Sequence, residues 1–114
     1  MAKSDLVYLK HIKKAISQIV NYTSDLSEKE FYKDQLVKDA VVRNFEIIGE
    51  ATKQVSDETR HVYPSIEWRK MAGMRDKLIH DYIDVDYFIV WHTIQQVLPS
   101  LEEKIDGIIR KNEA

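Results

Sequence analysis

Hydrophobic residues recur every three or four positions along most of the chain, which is the spacing of amphipathic α-helices. The first stripe predicts a helix that is capped by Ser4 and ends near Tyr22; its members are Leu6, Leu9, Ile12, Ile16, Ile19 and Val20. The polar residues off this stripe predict a face in contact with water. They are His11 and its neighbours Lys3, Lys10, Lys13 and Lys14.

A polar break follows, in which Ser27 stands three residues before Glu30, the pattern of a capping box. The second long helix is predicted from about Lys33 to Ser56. Its apolar stripe consists of Val37, Ala40, Val41, Phe45, Ile48, Ala51 and Val55. Gly49 lies beside that stripe, where it costs a helix up to about 1 kcal/mol relative to alanine. Close approach of another helix would explain glycine at this position.

A short helical turn comes next and is ended by Pro64. The third helix is predicted to start near Ser65 and to carry the polar residues 75–82. Trp68 is expected in its core-facing side, and Gly73 permits close packing or a bend.

The final helix is predicted from about Val85, after Asp84 as its cap, to Arg110, and Pro99 should kink it or divide it in two. Its apolar positions include Phe88, Trp91, Ile94, Val97, Leu98, Leu101, Ile105 and Ile108. No strand alternation and no internal repeat appear in the sequence. The expected fold class is therefore all-α: a single domain, residues 1–114, built as an up-and-down bundle of four to five helices.

Composition narrows the class of protein. The 114 residues carry a formal net charge of −2, which counts against a bulk nucleic-acid binder, although a nuclease needs only a local positive site. The chain has no cysteine, which excludes disulfides and thiolate metal sites and fits a reducing compartment. No apolar run approaches the length of a membrane span, and the N-terminus lacks the apolar segment of a signal peptide. The expected location is the cytoplasm, away from membranes.

The most informative motif is Arg75-Asp76-x-x-x-His80-x-Tyr82. Arg75 carries a permanent charge and a fork of donors suited to phosphate, and His80 can give or take a proton near neutral pH. Cleavage of a phosphodiester by the neighbouring ribose hydroxyl needs both groups. That chemistry needs no metal and no cofactor, so none is expected.

The spacing of the motif sets its geometry on a continuous helix. Arg75 and Tyr82 would share one face, and Asp76 would neighbour His80 closely enough to orient the imidazole. Asp76 and Tyr82 are therefore the expected auxiliary, orienting residues. Arg75 and His80 would diverge by about 140°. A second copy of the motif, or a break in the helix, would help the two groups to reach one phosphate.

Arg43, Asn44 and Glu46 are polar residues within the otherwise apolar second helix. Two interpretations are open. They form a structural set of ion pairs and hydrogen bonds across the bundle, or they line a cleft that faces Arg75 and His80 and support the candidate catalytic residues.

The motif resembles the signature of the HEPN ribonuclease superfamily, an arginine, a polar residue, a short spacer and a histidine. The added Tyr82, with Trp68 upstream, is similar to the HepT toxin branch, and the run RNFEIIGEA, residues 43–51, resembles that branch's second helix. The resemblance extends over roughly residues 4–108. It implies an HEPN-like helical bundle and a metal-independent endoribonuclease toxin of a toxin–antitoxin system, with RNA as its substrate.

The resemblance also implies roles and partners. His80 would act as general acid or base, Arg75 would stabilise the phosphorane, and the products would carry a cyclic phosphate and a 5′-hydroxyl. The family pairs two motifs across a homodimer. Its partner is a minimal nucleotidyltransferase antitoxin, of the MntA type, which transfers AMP to the motif tyrosine, here Tyr82.

Two other classes of function stay open from the sequence. One is a non-catalytic module that binds the nucleotidyltransferase partner. The other is a helical domain that binds a nucleotide without cleaving RNA. A nuclease should lose activity in His80→Ala, a partner-binding module should keep its cellular effect in that variant, and a nucleotide binder should show Arg75-dependent binding without an RNA product.

Overall fold

The computed structural model describes residues 1–81 and 84–113, except for the side chains of residues 79–81. Within that range the chain is helical apart from turns and one short antiparallel hairpin. The elements are α1 (Lys3–Thr23), α2 (Glu28–Lys33), α3 (Gln35–Gln54), α4 (Asp57–Val62), α5 (Trp68–Ala72), α6 (Met74–Leu78), β1 (Ile79–Asp81), β2 (Asp84–Val85), α7 (Tyr87–Gln96) and α8 (Leu98–Glu113). The all-α class is confirmed, but the helices are divided more often than the sequence predicts.

Side-chain caps explain several of the helix boundaries. The Ser27 hydroxyl accepts from the Glu30 N–H and the Glu30 carboxylate accepts from the Ser27 N–H, so the predicted capping box is confirmed. The prediction that Ser4 caps α1 is wrong, because Ala2 occupies the cap position and provides no side-chain bond. Asp84 is not the cap of the helix that follows it; Asp86 is, accepting from the Ile89 N–H at 3.1 Å.

The core lies where α1 packs against α3 and α8. The predicted stripes supply most of its fully buried side chains: Leu9, Ile12, Ile16, Ile19, Val41, Phe45, Ile48, Leu98 and Ile105. Phe88 was expected in the core, and that expectation is wrong, because 61% of it is exposed. Residues two apart lie on nearly opposite sides of a helix, and α7 turns Val90 inward, so Phe88 must face out.

The C-terminal helix pair follows the prediction from Pro99. α7 ends at Gln96, and α8 begins at Leu98 with Pro99 in its first turn, where the missing N–H has no intrahelical partner to lose. α8 then continues to Glu113, beyond the predicted end. Asn112 donates to the Tyr63 hydroxyl at 2.9 Å, which fastens this last turn to the chain before α5. No helix among the described residues is both long enough and apolar enough to cross a membrane.

Asp5 is a buried carboxylate, 2% exposed, that joins the start of α1 to the start of α4. It accepts from the Ser56 N–H at 3.0 Å, from the Ser56 hydroxyl at 2.6 Å and from the Thr59 hydroxyl at 2.6 Å. Burial by itself would raise the pKa of Asp5, but the hydrogen bonds from Ser56 and Thr59 outweigh it and hold that pKa below its ordinary value. Since Ser56 also caps α4, the cluster fixes the start of α4 and ties it to the first turn of α1.

α3 approaches α5 and α6 closely at Gly49, as the sequence predicts. A Cβ atom at Gly49 would lie 3.5 Å from the Ala72 carbonyl oxygen and 3.5 Å from the Cβ atom of Arg75. That distance is ordinary van der Waals contact, so a methyl group fits and a larger group would press on α6. The missing side chain of Gly49 therefore sets how near Arg75 lies to α3.

Asp5→Ala should lower the free energy of unfolding by about 2–3 kcal/mol at neutral pH, because the Ser56 and Thr59 hydroxyls lose their charged acceptor. The depressed pKa means that this stabilisation is present above the unfolded-state pKa of aspartate and disappears as the pH falls through the folded-state pKa. Urea unfolding from neutral to acidic pH measures both effects. Asp25→Ala, which removes an exposed carboxylate, should stay within about 0.5 kcal/mol of wild type. An Asp5→Ala protein with wild-type stability at neutral pH would contradict this account.

Gly49→Ala should keep or raise the stability by up to about 1 kcal/mol, since alanine favours a helix and fits the space. Gly49→Val should lower it by about 1–3 kcal/mol, because its extra methyl groups press on α6. Gly107 provides the control, since a Cβ atom there would meet nothing within 4 Å. Thermal unfolding of the two Gly49 variants and of Gly107→Val measures the difference. Equal losses in the two valine variants would show that helix propensity, rather than contact with α6, determines the result.

Candidate active site

The motif that begins at Arg75 extends past the C-terminal end of helix α6. Gly73 separates α5 from α6, and its N–H bonds back to the carbonyl oxygens of Arg69 and Met71. α6 ends at Leu78, after which the chain enters β1, and Asp86 N–H donates to the Leu78 carbonyl at 3.1 Å. The third helix therefore does not continue through residues 75–82; it ends after Leu78, which is the break that the spacing of Arg75 and His80 left open as an alternative. The face that Arg75 and Tyr82 would share applies to a continuous helix, and Tyr82 itself lies outside the described residues.

The structure describes the first half of the motif in full. Arg75 lies on α6 with its side chain 42% exposed, and its Nη1 donates to Asp76 Oδ1 at 3.3 Å. The Asp76 side chain is 71% exposed, so its described contact is with the neighbouring arginine. His80 has its backbone in β1, but its side chain, like the whole of Tyr82, lies outside the described residues. The placement of the imidazole and the phenol stays a prediction.

Arg75 lies at a polar groove of about 310 Å³ between α1, α3 and α6. The charged and aromatic residues that line this groove are Tyr8 and His11 of α1, Arg43, Glu46 and Glu50 of α3, and Arg75 itself. The three residues of α3 are spaced three and four apart, which places them on one face of the helix. We refer to this site below as the Arg75 groove. Within the described part of the chain, no cluster of His, Cys, Asp and Glu could hold a metal ion.

The structure separates the three polar residues that the sequence groups together on α3. Arg43 and Glu46 line the Arg75 groove, and neither has an ion pair among the described residues. The cross-bundle set of ion pairs is thus not formed within that part of the chain. Asn44 is buried, donates to the Ala40 carbonyl at 2.8 Å and does not line the groove. Its Oδ1 has no hydrogen-bond partner among the described residues.

Tyr8 and His11 are the residues of this site that sequence reasoning misses. Their rings meet edge to face, with centroids 6.1 Å apart and planes at 86°. His11 is exposed, as the lysines around it predict, yet it also lines the Arg75 groove. The spacing of three residues indicates that the two rings share a helical face. It does not indicate that this face borders α3 and α6.

A second concavity, of about 720 Å³, lies beside β2 and the start of α7. Tyr32, Tyr87 and Phe88 contribute aromatic rings to it, and the Lys38 ammonium lies 4.5 Å from the centroid of the Tyr87 ring. Burial raises the pKa of the Tyr87 hydroxyl, and the charge of Asp39 adds to that effect. An aromatic surface that also carries Lys38, Asp84 and Asp86 therefore adjoins strand β2 of the hairpin.

The fold and the sequence both have known counterparts. The structure resembles that of a tri-AMPylated HEPN toxin from Shewanella oneidensis solved in complex with an MNT antitoxin, with a TM-score of 0.64, 24% identity, and coverage of 95% of this chain and 98% of that chain. This likeness confirms the HEPN-like fold.

A family model described as ribonuclease HepT-like matches residues 12–108. A probable ribonuclease HepT from Thermococcus cleftensis is 41% identical over 108 residues, covering 95% of this chain and 98% of its own. A presumed RNase from Methanocaldococcus jannaschii is 40% identical over 111 residues, covering 96% of both chains. The match over most of the chain shows that the protein belongs to the HepT-like ribonuclease family, which confirms the enzyme class expected from the motif, an endoribonuclease.

Proposed function

We propose that this protein is a metal-independent endoribonuclease toxin that cleaves RNA with Arg75 and His80. The observation that carries the proposal is the position of Arg75, a half-exposed cation at the edge of a polar groove, on a helix that ends before His80. The family membership supports the same activity.

In the proposed reaction the ribose 2′-oxygen attacks the adjacent phosphorus and the bond to the 5′-oxygen breaks. His80 moves a proton, either taking it from the 2′-hydroxyl or giving it to the departing 5′-oxygen. Arg75 stabilises the charge that builds up on the phosphorane oxygens. Asp76, 3.3 Å from Arg75, orients the guanidinium and limits its rotation. The products carry a 2′,3′-cyclic phosphate and a 5′-hydroxyl.

The reaction needs a base and an acid, and each chain supplies one motif histidine. We infer that two chains form a homodimer that brings two motifs together. The aromatic surface beside the hairpin supports this inference, since Phe88 is 61% exposed and Tyr32 is 36% exposed. Exposed apolar patches of this kind often mark protein–protein contacts.

We further propose that a minimal nucleotidyltransferase antitoxin neutralises the protein by transferring AMP to Tyr82. The tri-AMPylated toxin in the solved complex of similar fold supports this step. AMP on Tyr82 would add an anion to the motif that contains Arg75, where it would compete with an RNA phosphate for the guanidinium. A cytoplasmic location follows from this proposal, because RNA and ATP are available there.

A non-catalytic module that binds nucleotide or the nucleotidyltransferase is the second candidate. The carboxylates of Glu46 and Glu50 in the Arg75 groove favour this second candidate, because they repel the successive phosphates of an RNA backbone. Loss of RNA cleavage in a His80→Ala protein that still folds distinguishes the nuclease from such a module.

Purified wild-type protein should cleave total cellular RNA in EDTA and leave cyclic-phosphate ends. Arg75→Ala should reduce the rate by about 10²–10³-fold, and His80→Ala by about 10²–10⁴-fold, as expected for loss of charge stabilisation and of proton transfer. Gel analysis of the RNA and mapping of the product ends measure both.

Lys77→Ala is the matched control, because it removes an exposed cation from the same helix at a spacer position of the motif, and it should keep nearly full activity. Cleavage that requires added metal, or that survives in His80→Ala, would contradict the proposed chemistry. Light scattering on the same samples tests assembly: a monomeric mass with full activity would contradict the paired motifs.

Incubation with a nucleotidyltransferase of the MNT class and ATP should add AMP to the protein and abolish RNA cleavage. Tyr82→Phe should accept no AMP at that position, because it lacks the acceptor hydroxyl, and its remaining RNA cleavage should therefore resist the treatment. Intact-mass and peptide mass spectrometry locate the modification. Tyr22→Phe, which changes a tyrosine on α1 that is 40% exposed, should be modified like wild type. AMP found only on another residue would overturn the assignment to Tyr82.

A further inference from the structure

The Arg75 groove contains more than binding of one phosphate requires. Its walls carry an aromatic ring, Tyr8, and a carboxylate, Glu46, in addition to the arginines. We propose that this groove binds the base of a nucleotide next to the cleaved phosphodiester and that it selects guanine. This inference rests on the proposed ribonuclease function, because that function places RNA at Arg75.

The size and the charge of the groove fit one nucleotide better than a run of phosphates. Its volume of about 310 Å³ is at the lower end of the roughly 300–1,000 Å³ typical of small-ligand sites. The arginines at positions 43 and 75 are balanced by the carboxylates at positions 46 and 50. A track for a polyanion would be clearly positive. This groove instead offers cations for a phosphate and acceptors for a group that donates hydrogen bonds.

Tyr8 provides a surface on which a base can stack. It is half-buried and packs against the core, so its ring is held in place, and it still lines the groove. His11 meets the ring edge to face at 6.1 Å, which limits rotation of the ring further. Aromatic rings of this kind bind unpaired RNA bases by stacking.

Glu46 provides the selectivity. Its side chain is half-buried in the groove wall, and it has no hydrogen bond or ion pair among the described residues. A carboxylate only accepts hydrogen bonds. Guanine is the base whose Watson–Crick edge presents two adjacent donors, N1–H and N2–H₂, which pair with both oxygens of a carboxylate. Adenine, cytosine and uracil each place an acceptor beside the donor.

Binding of GMP and AMP to the full-length protein, measured by isothermal titration calorimetry, tests the proposal without requiring cleavage. Wild type should bind GMP about tenfold more tightly than AMP, in keeping with a good bidentate contact. Glu46→Gln should bring the two affinities to within about twofold, because the amide turns one acceptor into a donor. Tyr8→Leu should weaken both nucleotides by about tenfold through loss of stacking.

Two control variants match these changes outside the groove. Glu103→Gln neutralises an exposed carboxylate on α8, and Tyr22→Leu replaces an exposed tyrosine on α1. Both should bind GMP like wild type. Circular dichroism checks that each variant folds. If Tyr8→Leu does not fold, Glu46→Gln, which conserves side-chain volume, still decides the proposal.

The results separate this inference from the proposed nuclease function. Glu46-dependent GMP binding without any RNA cleavage would support the proposed base site and contradict the proposed nuclease activity. RNA cleavage with equal affinity for GMP and AMP, or with a GMP preference that survives Glu46→Gln, would overturn the base site and leave the nuclease standing. Cleavage of single-stranded oligonucleotides that differ in one purine should show the same preference for guanine and the same loss in Glu46→Gln.

Discussion

Helix α3 is packed on two sides, and the candidate site depends on this double contact. One side, including Val41 and Phe45, is fully buried with α1 in the core. The other meets α5 and α6, where Gly49 leaves only van der Waals clearance to Arg75. Because interiors are close-packed and yield little, a helix clamped in this way holds its neighbours at fixed distances. Core packing thus sets where the backbone and the Cβ atom of Arg75 lie, and the contact with Asp76 restrains its guanidinium.

The charge of the chain makes sense when the site is considered locally. A net charge of −2 gives no general attraction for RNA, so under the proposed function the Arg75 groove supplies recognition through a few groups. Arg75 is restrained by its neighbour Asp76, and both remain in contact with water. Salt screens such partly exposed charges strongly, whereas stacking and hydrogen bonding to a base are less sensitive to it. Under the proposed function, a groove with both cations and carboxylates has lower affinity for RNA in general and greater selectivity for one base.

Sequence periodicity predicts the core well, because each stripe has only one way to be buried. The α1 stripe is an example, since it is buried as predicted. The break at Pro99 and the capping box at Ser27 are local signals of helix boundaries, and both are confirmed. The helix end after Leu78 carries no such signal, since no proline or glycine marks it and the chain passes directly into β1, which pairs with β2. The sequence does not predict the contribution of Tyr8 to the groove either, since it depends on how α1 packs against α3.

The residues with different proposed roles in the site lie on different elements of the chain. The residues proposed to carry out the chemistry lie on α6 and the segment after it, whereas the residues proposed to choose the nucleotide lie on the outward faces of α1 and α3. Neither Tyr8 nor Glu46 belongs to the fully buried stripes of these helices, although Tyr8 packs against the core from its edge. Preference for one RNA over another could therefore differ among homologues with this fold, while the catalytic residues and the helices that hold them stay the same.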